Sequence, residues 1–462
     1  MKYQQASHAD TEAICHLEPF GYNSERDLIL GRTVEPKHPE PIMPSWVERM
    51  TPGCWYQISG DYPDLDLTPT PPGTRYLADN DPAGDAKLNA GKTPREFLRR
   101  SLGRRPRSPW QGQCGFWAIT EAWNGAVFAS RFGASGSMIV FGGGHDDYFG
   151  SDVHAFDLST RRWSRISDGY VSGKAKEYGA DAVYPDAVYP DGSPLPPHTY
   201  GYVQYDPEGN DYLLLKGQTE LGPRVKSAAI PHMFNLDSLT WRKGPRHPSA
   251  ILGSGGCTTW DASRRILWGH SGDSGNAFIG FSPDSRNADG TYGLWTTLYL
   301  KKIQTHADHN AMAMDPMRDI IIAVVSASNA LYALNPSEPA REIVCLTSKD
   351  DQAILSAYAA LEYAPNLDRF VYYSANDGPQ IYSIAAPAGS TWSQLTGSAW
   401  SWTNMLNSDN RLDPVAHAAS TSKFPVNRNH TFGRFRVATY GLVDVAILIR
   451  HTDTPVYAMR LN

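Results

Sequence analysis

From Trp123 to Leu461, short apolar runs recur between polar turns, each run only a few residues long. The clearest stretch reads Trp123-Asn-Gly-Ala-Val-Phe128, then Ser137-Met-Ile-Val-Phe-Gly-Gly-Gly-His145, then Val153-His-Ala-Phe-Asp157, then Trp163-Ser-Arg-Ile166. Runs this short, rich in β-branched and aromatic residues and bounded by Gly, Asp and Asn, predict strands rather than helices. The same unit returns five more times. The further copies start near His198, Gly256, His309, Tyr358 and His430, and several end in a Trp-led strand such as Trp241, Trp295 or, in the fifth unit, Trp392. Each unit supplies four strands at the spacing of one blade, so the expected fold is an all-β propeller. Six blades are counted, and residues 396 to 429 leave room for a degenerate seventh.

Residues 1 to about 120 read differently. Pro-rich stretches, Pro36 to Pro44 and Pro69 to Pro72, carry little periodicity and predict an irregular N-terminal arm, with 121–462 as the propeller. A short helix is expected at Pro94–Leu102, followed by the basic cluster Arg99, Arg100, Arg104, Arg105 and Arg107. The arm is expected to bury little of the propeller core and to reach an assembly partner. One segment stands apart. The last unit ends at Val456-Tyr-Ala-Met-Arg-Leu461 as a third strand with nothing to follow it. Cys54-Trp-Tyr-Gln-Ile-Ser59 has the Trp and Ile spacing of the missing outer strand, so Trp55 to Ile58 is predicted to pair antiparallel with Val456 to Leu461 and close the ring.

Composition agrees with this reading. The 462 residues hold 40 Gly, 34 Pro, 13 Trp and 24 Tyr but only 19% charged residues, which disfavours bundles and coiled coils. A balance of 42 basic against 48 acidic residues excludes a general nucleic-acid surface. No apolar run reaches the roughly 18 residues of a membrane helix, so no membrane insertion is expected. Met1 to Asp10 is polar and lacks a signal-peptide pattern, which suggests a cytoplasmic or virion location. Five scattered cysteines without a CxxC pair suggest neither a disulfide framework nor a thiolate zinc site.

The Gly-Gly and Trp positions resemble kelch repeats over roughly residues 120 to 462. Trp123-Asn-Gly, Gly142-Gly-Gly-His-Asp-Asp-Tyr-Phe-Gly-Ser-Asp152, Pro197-His-Thr-Tyr200 and Phe432-Gly-Arg-Phe-Arg436 are similar to kelch-like proteins of bacteria and phages. Some of these features are also similar to propeller-type ulvan lyases, where Asn is common at the position of Ser151. That likeness implies cleavage of a uronate polysaccharide by β-elimination.

Strand polarity locates the candidate chemistry. The start of a blade's first strand and the end of its second lie at the same end of the hairpin. His198, His309 and His430 precede first strands, and His145 and His270 end second strands, so all five are expected around one mouth of the channel. Asn124, Tyr148, Tyr200, Asn310 and Arg434 belong to the same rim, with Arg224 and His232 near enough to reach it. Two functions fit. One is a recognition or structural propeller binding a glycan or a partner protein, in a virion or elsewhere. The other is a polysaccharide lyase. In it Arg224 or Arg434 would neutralise the uronate carboxylate, His145 or His198 would remove the C5 proton, and Tyr200 would protonate the leaving oxygen. Asn124, Tyr148, His232, His270, His309, Asn310 and His430 would bind. No cofactor and no metal are expected. His306 and His309 have a His-x-x-His spacing, but i and i+3 on a strand face opposite ways. Gly142-Gly-Gly lacks the Lys-Ser/Thr of a phosphate loop, and no Gly-x-Ser-x-Gly elbow is present.

Overall fold

The structure is a computed structural model that describes residues 38–59, 118–120, 123–144, 148, 150–167, 170, 184, 186–219, 227–248, 252–270, 277–299, 310–325, 330–337, 344–346, 354–355, 359–374, 378–389, 391–414, 431, 433–450 and 454–462. The chain divides into two units, Met1–Pro39 and Glu40–Asn462, and the propeller lies in the second.

A one-turn helix, α1 (Ser45–Glu48), leads to β1 (Trp55–Gln57). Blade 1 is β2 (Ala126–Ala129), β3 (Ser137–Val140), β4 (Val153–Asp157) and β5 (Arg162–Ser167). Blade 2 is β6 (Val203–Asp206), β7 (Asp211–Gln218), β8 (Ser227–Asn235) and β9 (Thr240–Lys243). Blade 3 is β10 (Cys257–Asp261), β11 (Ile266–His270), β12 (Ala277–Arg286) and β13 (Tyr292–Tyr299). Blade 4 is β14 (Ala311–Asp315), β15 (Ile320–Val325), β16 (Ala330–Leu334) and β17 (Val344–Cys345). Blade 5 is β18 (Ala360–Ala364), β19 (Arg369–Tyr373), β20 (Ile381–Ala385) and, after helix α2 (Trp392–Gly397), β21 (Ser401–Asn404). Blade 6 is β22 (Phe435–Tyr440), β23 (Val443–Ile449) and β24 (Val456–Arg460), with β1 as its outer strand.

Six four-stranded antiparallel sheets therefore form the ring, and their first strands are neighbours in the cyclic order β2, β6, β10, β14, β18, β22. Part of the stretch that left room for a seventh blade is used otherwise: Ser401–Asn404 is the fourth strand of blade 5. Trp392, read as that strand's leader, starts α2 instead. Thr391 caps this helix through a reciprocal bond with Gln394, and a local cap of this kind favours helix over strand. Ring closure follows the expected pairing, with Trp55 opposite Met459, Tyr56 opposite Ala458 and Gln57 opposite Tyr457. The Ile58 amide extends the ladder by donating to the Val456 carbonyl.

The start of the expected arm behaves differently from the reading above. Trp46, Val47 and Met50 are buried in one cluster with Met138, Val140 and Phe156 of blade 1 and Ile447 and Ala458 of blade 6. The Trp46 indole donates to the Leu158 carbonyl at 3.0 Å. This segment is an integral wedge over the junction of the first and last blades, because the single turn, continued by the Met50 amide donating to the Val47 carbonyl, brings Met50 to the side of Trp46 and Val47, four and three residues before it. The helix expected at Pro94–Leu102 and the basic cluster after it lie outside the described residues.

Second strands are buried on both faces between neighbouring blades, which is why they read as unbroken apolar runs such as Ile-Ile-Ile-Ala-Val-Val in β15. The tight turns use left-handed residues: Asn210, Arg265, Asp319 and Asp368 close the first hairpins of blades 2 to 5 with φ between 51° and 53°. These turns also bolt the blades together. Arg131 donates to the Pro207 carbonyl, Arg265 forks onto Asp206, and Arg264 forks onto Asp319 at 2.7 Å for both bonds. Arg318 bridges Asp315 to Asp368, the Asn366 amide binds Asp444, and the Tyr440 hydroxyl donates to Ser135. Every neighbouring pair of blades is linked at least once at this end of the ring. No helix among the described residues is long and apolar enough to cross a membrane.

Candidate functional site

The first strands converge on the axis, and small residues open four of them: Ala126, Cys257, Ala311 and Ala360. A Cβ on Gly201 would lie 3.0 Å from the Gly256 carbonyl oxygen. The channel they enclose is nearly filled. Arg436 of β22 crosses it: Nε donates to the Ala126 carbonyl at 2.7 Å, Nη2 to the Val203 carbonyl at 2.9 Å, and Nη1 pairs with Glu362 of β18. Gln204, Thr258, Asn310 and Glu362 line the cavity that remains, about 20 Å³, room for one water molecule. Burial pushes the Glu362 carboxyl up, against the opposing pull of the Arg436 charge. Among the described residues the axis at the level of Arg436 and Glu362 leaves room for about one water, so a ligand would sit on a mouth.

The mouth opposite the turn belt gathers the start of first strands and the end of second strands. The structure brings Asn124, His198, Tyr200, His270, Asn310 and Arg434 there, all buried. Two of them, Asn124 and Arg434, are engaged by backbone groups of neighbouring segments. The Asn124 amide nitrogen donates to the Ala118 carbonyl and its oxygen accepts from the Thr199 amide at 3.0 Å, tying the approach to blade 1 onto that of blade 2. Arg434 Nε donates to the Ile449 carbonyl at 3.0 Å, Nη2 to the Arg450 carbonyl at 3.0 Å, and Nη1 to the Asn124 carbonyl. That guanidinium, 0% exposed, clasps blade 6 to blade 1.

His198 sits over the triple glycine. Gly143 and Gly144 donate to the carbonyls of Pro197 and Pro196, and a Cβ on Gly144 would fall 2.1 Å from the His198 ring. Close backbone approach thus accounts for Gly142-Gly-Gly144. The His198 ring also lies 4.8 Å from that of Trp123. Tyr200 follows with φ of 45°, a left-handed conformation uncommon outside glycine. The Lys216 ammonium stands 4.7 Å over its ring.

Tyr148 and His232 are placed elsewhere in their blades. The Tyr148 hydroxyl donates to Asp152 at 2.6 Å, and Asp152 also faces His154 at 3.3 Å. Burial pushes the Asp152 carboxyl up, but the His154 and Tyr148 bonds outweigh it and the net displacement is downward. His232 pairs across β8 and β9 with Lys243 and stacks inside blade 2 beside Gly217. His145, Arg224, His306, His309 and His430 lie outside the described residues, as do 271–276, 326–329, 375–377 and 451–453, which follow second strands.

Two cations of this mouth escaped the sequence reading. Lys216 interrupts the apolar Tyr-Leu-Leu-Leu run of β7 and donates to the Gly253 carbonyl at 3.2 Å, and Arg450 directly follows β23. A basic residue inside or at the end of a fully buried run was the available signal. Burial lowers the Arg450 guanidinium.

Burial also holds two histidines neutral, His232 down to about 3, with the Lys243 charge adding to the effect, and His270 down to about 4. Unfolded histidines bind protons near 6.5, so the unfolded chain takes up more protons below that value. The stability they contribute is present above pH 6.5 and lost as pH falls towards 4 and 3. Each lost unit corresponds to about 1.4 kcal/mol. Urea midpoints measured from pH 7 to pH 4 should fall, and His232→Gln with His270→Gln should flatten that slope. An unchanged slope in the double variant would contradict this account.

No protein-family model matches the chain, and no curated protein matches it. Among solved structures the chain is similar to one in the nidogen/laminin complex, at 11% identity and a TM-score of 0.35, covering 61% of this chain and 85% of that one. It is similar to one in the mitotic checkpoint complex, at 12% identity and a TM-score of 0.38, and to the major Malassezia sympodialis allergen Mala s 1, at 11% and 0.38. Each of these two likenesses covers 75% of this chain and 93% of the other. Likenesses this remote carry nothing about activity. The six-bladed propeller rests on the sheet topology.

Proposed function

We propose that this chain is a kelch-like recognition propeller whose His/Tyr/Lys/Arg mouth binds an acidic glycan, with its place on a virion surface suggested by the phage-protein resemblance. The observation that supports it is a group of buried cations, Lys216, Arg434 and Arg450, at one mouth, whereas the arginines of the opposite turn belt, Arg264, Arg265 and Arg318, are paired with Asp206, Asp261, Asp284, Asp315, Asp319 and Asp368. Buried cations in a low-dielectric wall project their field towards the mouth and favour carboxylate or sulfate ligands. Aromatic rings with polar tips, Trp123, His198 and Tyr200, suit sugar faces.

The lyase reading has less support. It needs an arginine to take the uronate carboxylate; Arg434 is buried with its nitrogens on three carbonyls, which leaves that role to Arg224, outside the described residues.

The test is a panel of uronate, sulfated and neutral polysaccharides, read by binding and by ultraviolet absorbance. Acidic glycans should be retained, neutral ones should not, and retention should weaken with salt. Lys216→Met should lower the affinity by about tenfold, as expected for losing one buried cation whose field reaches the mouth. Equal binding of neutral and acidic polymers would overturn the acidic-ligand reading. A new unsaturated-uronate chromophore would replace recognition with catalysis.

A further inference from the structure

Blade 3 turns a row of side chains towards blade 4. Cys257 of β10 pairs with His270 of β11, which pairs in turn with Phe278 of β12. Directly opposed residues of antiparallel strands project to the same face with Cβ atoms about 4.5–5.5 Å apart. Met312 of β14 comes from the facing blade. Cys257, His270 and Met312 line one cavity of about 20 Å³, walled for the rest mainly by apolar side chains such as Phe278, Ile321 and Val325. His270 is only 6% exposed, and its Nε2 has no hydrogen-bond partner among the described residues. A buried imidazole nitrogen without a partner beside a thiol and a thioether is costly unless something occupies the space.

We infer that Cys257, His270 and Met312 form a binding site for one Cu(I) ion. The donor set is soft. Thiolate and thioether sulfur select Cu(I), and imidazole accepts it readily. Among the described residues no group of three His, Cys, Asp or Glu gathers to hold a metal, which leaves zinc short of its usual four N, S or O ligands. Cu(I) needs only two or three ligands and tolerates an apolar shell. Charge balance supports it as well. Binding exchanges the Cys257 thiol proton for the metal, Cys-SH plus Cu(I) giving Cys-S–Cu plus a proton released to solvent, with no change of oxidation state. The product is neutral, since one thiolate offsets one cation and His270 and Met312 carry no charge. A neutral complex is the form an apolar cavity accepts at least cost. Burial keeps the His270 imidazole unprotonated and ready to coordinate, and it keeps the Cys257 thiol protonated, pushed up to about 12, until a metal displaces the proton.

The test uses the full chain, reduced and anaerobic, with Cys15, Cys54, Cys114 and Cys345 changed to Ser so that other thiols do not compete. The protein is titrated against the coloured Cu(I)–bicinchoninate complex, and loss of colour reads the transfer. One equivalent should move to the protein, and Zn(II) should not be retained. Cys257→Ser and His270→Gln should each weaken binding by at least about tenfold, the scale of disturbing a metal site. Met312→Leu keeps the volume and should weaken it less. The copper-edge absorption spectrum of the loaded protein needs no further variant, and should show sulfur and imidazole nitrogen neighbours. No transfer, an undiminished transfer in the Cys257 or His270 variant, or an edge spectrum without sulfur would each overturn the site.

Discussion

Truncating Trp55 to alanine should lower the unfolding free energy by about 3–5 kcal/mol, the range for removing a buried tryptophan. Trp55 is 3% exposed and belongs to the strand that completes blade 6. Its indole donates to the Pro379 carbonyl at 2.8 Å, its backbone amide donates to Asn410 at 2.8 Å, and its ring meets the edge of Tyr373 at 5.5 Å. The residue therefore joins the last blade to the fifth as well as the N-terminal strand to the C-terminal one. Its loss loosens a strand that closes a ring, so the effect should spread. Urea unfolding followed by fluorescence and by far-ultraviolet circular dichroism should stay coincident while the midpoint falls. Tyr56→Ala, on the half-buried position of the same strand, should cost less than half as much. A Trp55→Ala loss below about 1 kcal/mol, an ordinary surface-to-intermediate value, would show that closure depends on something other than this strand.

Replacing Arg436 by methionine should be as damaging, at about 3–5 kcal/mol, because breaking a buried pair leaves its partner uncompensated. Arg436 reaches blades 1, 2 and 5 from blade 6 across the axis, and its removal orphans the Ala126 and Val203 carbonyls and Glu362. A pH signature separates this from lost packing. Without the cation, burial alone acts on Glu362 and its folded pKa rises further. A raised folded pKa contributes stability below the unfolded value, near 4.3, that is lost as pH rises through the folded value. The deficit against the wild type should therefore be smaller near pH 4 than at pH 7. Adding Glu362→Gln should recover part of the loss at pH 7 and remove its pH dependence. Additive single losses in that cycle would sink the interpretation.

The blades were legible because each is a local hairpin series with its own punctuation. Asp206, Asp261 and Asp315 end first strands, left-handed residues follow at 210, 265 and 319, and the apolar runs between mark strands buried on both faces. Ring closure was legible for the same reason: an outer strand was missing at one end of the chain, and one with the right Trp spacing stood near the other. The wedge of Trp46, Val47 and Met50 was not, since a single helical turn carries no periodicity. The fourth strand of blade 5 was misplaced by ten residues because two Trp residues, Trp392 and Trp402, compete for one signal and only the Thr391–Gln394 cap decides between them.

The candidate site divides along similar lines. Strand polarity follows from hairpin geometry, and it was enough to send Asn124, His198, Tyr200, His270, Asn310 and Arg434 to one mouth. What each side chain does there depends on what lies beside it in space. Arg434 and an arginine facing a substrate look identical in sequence, and only the carbonyls of Asn124, Ile449 and Arg450 converging from two blades make it a clasp. Lys216 and Arg450 drew no notice because a basic residue next to an apolar run reads as a strand edge until a neighbouring blade covers it. The sequence by itself determined the six hairpin units, their polarity and the end-to-end closure, all set by interactions between residues near in the chain or by one unmatched strand, while the absence of a seventh unit among the described residues came from the sheet topology. The tertiary structure alone decided which polar groups are engaged by the fold and which of them face one another across blades, because burial and partnership are properties of the packed ring.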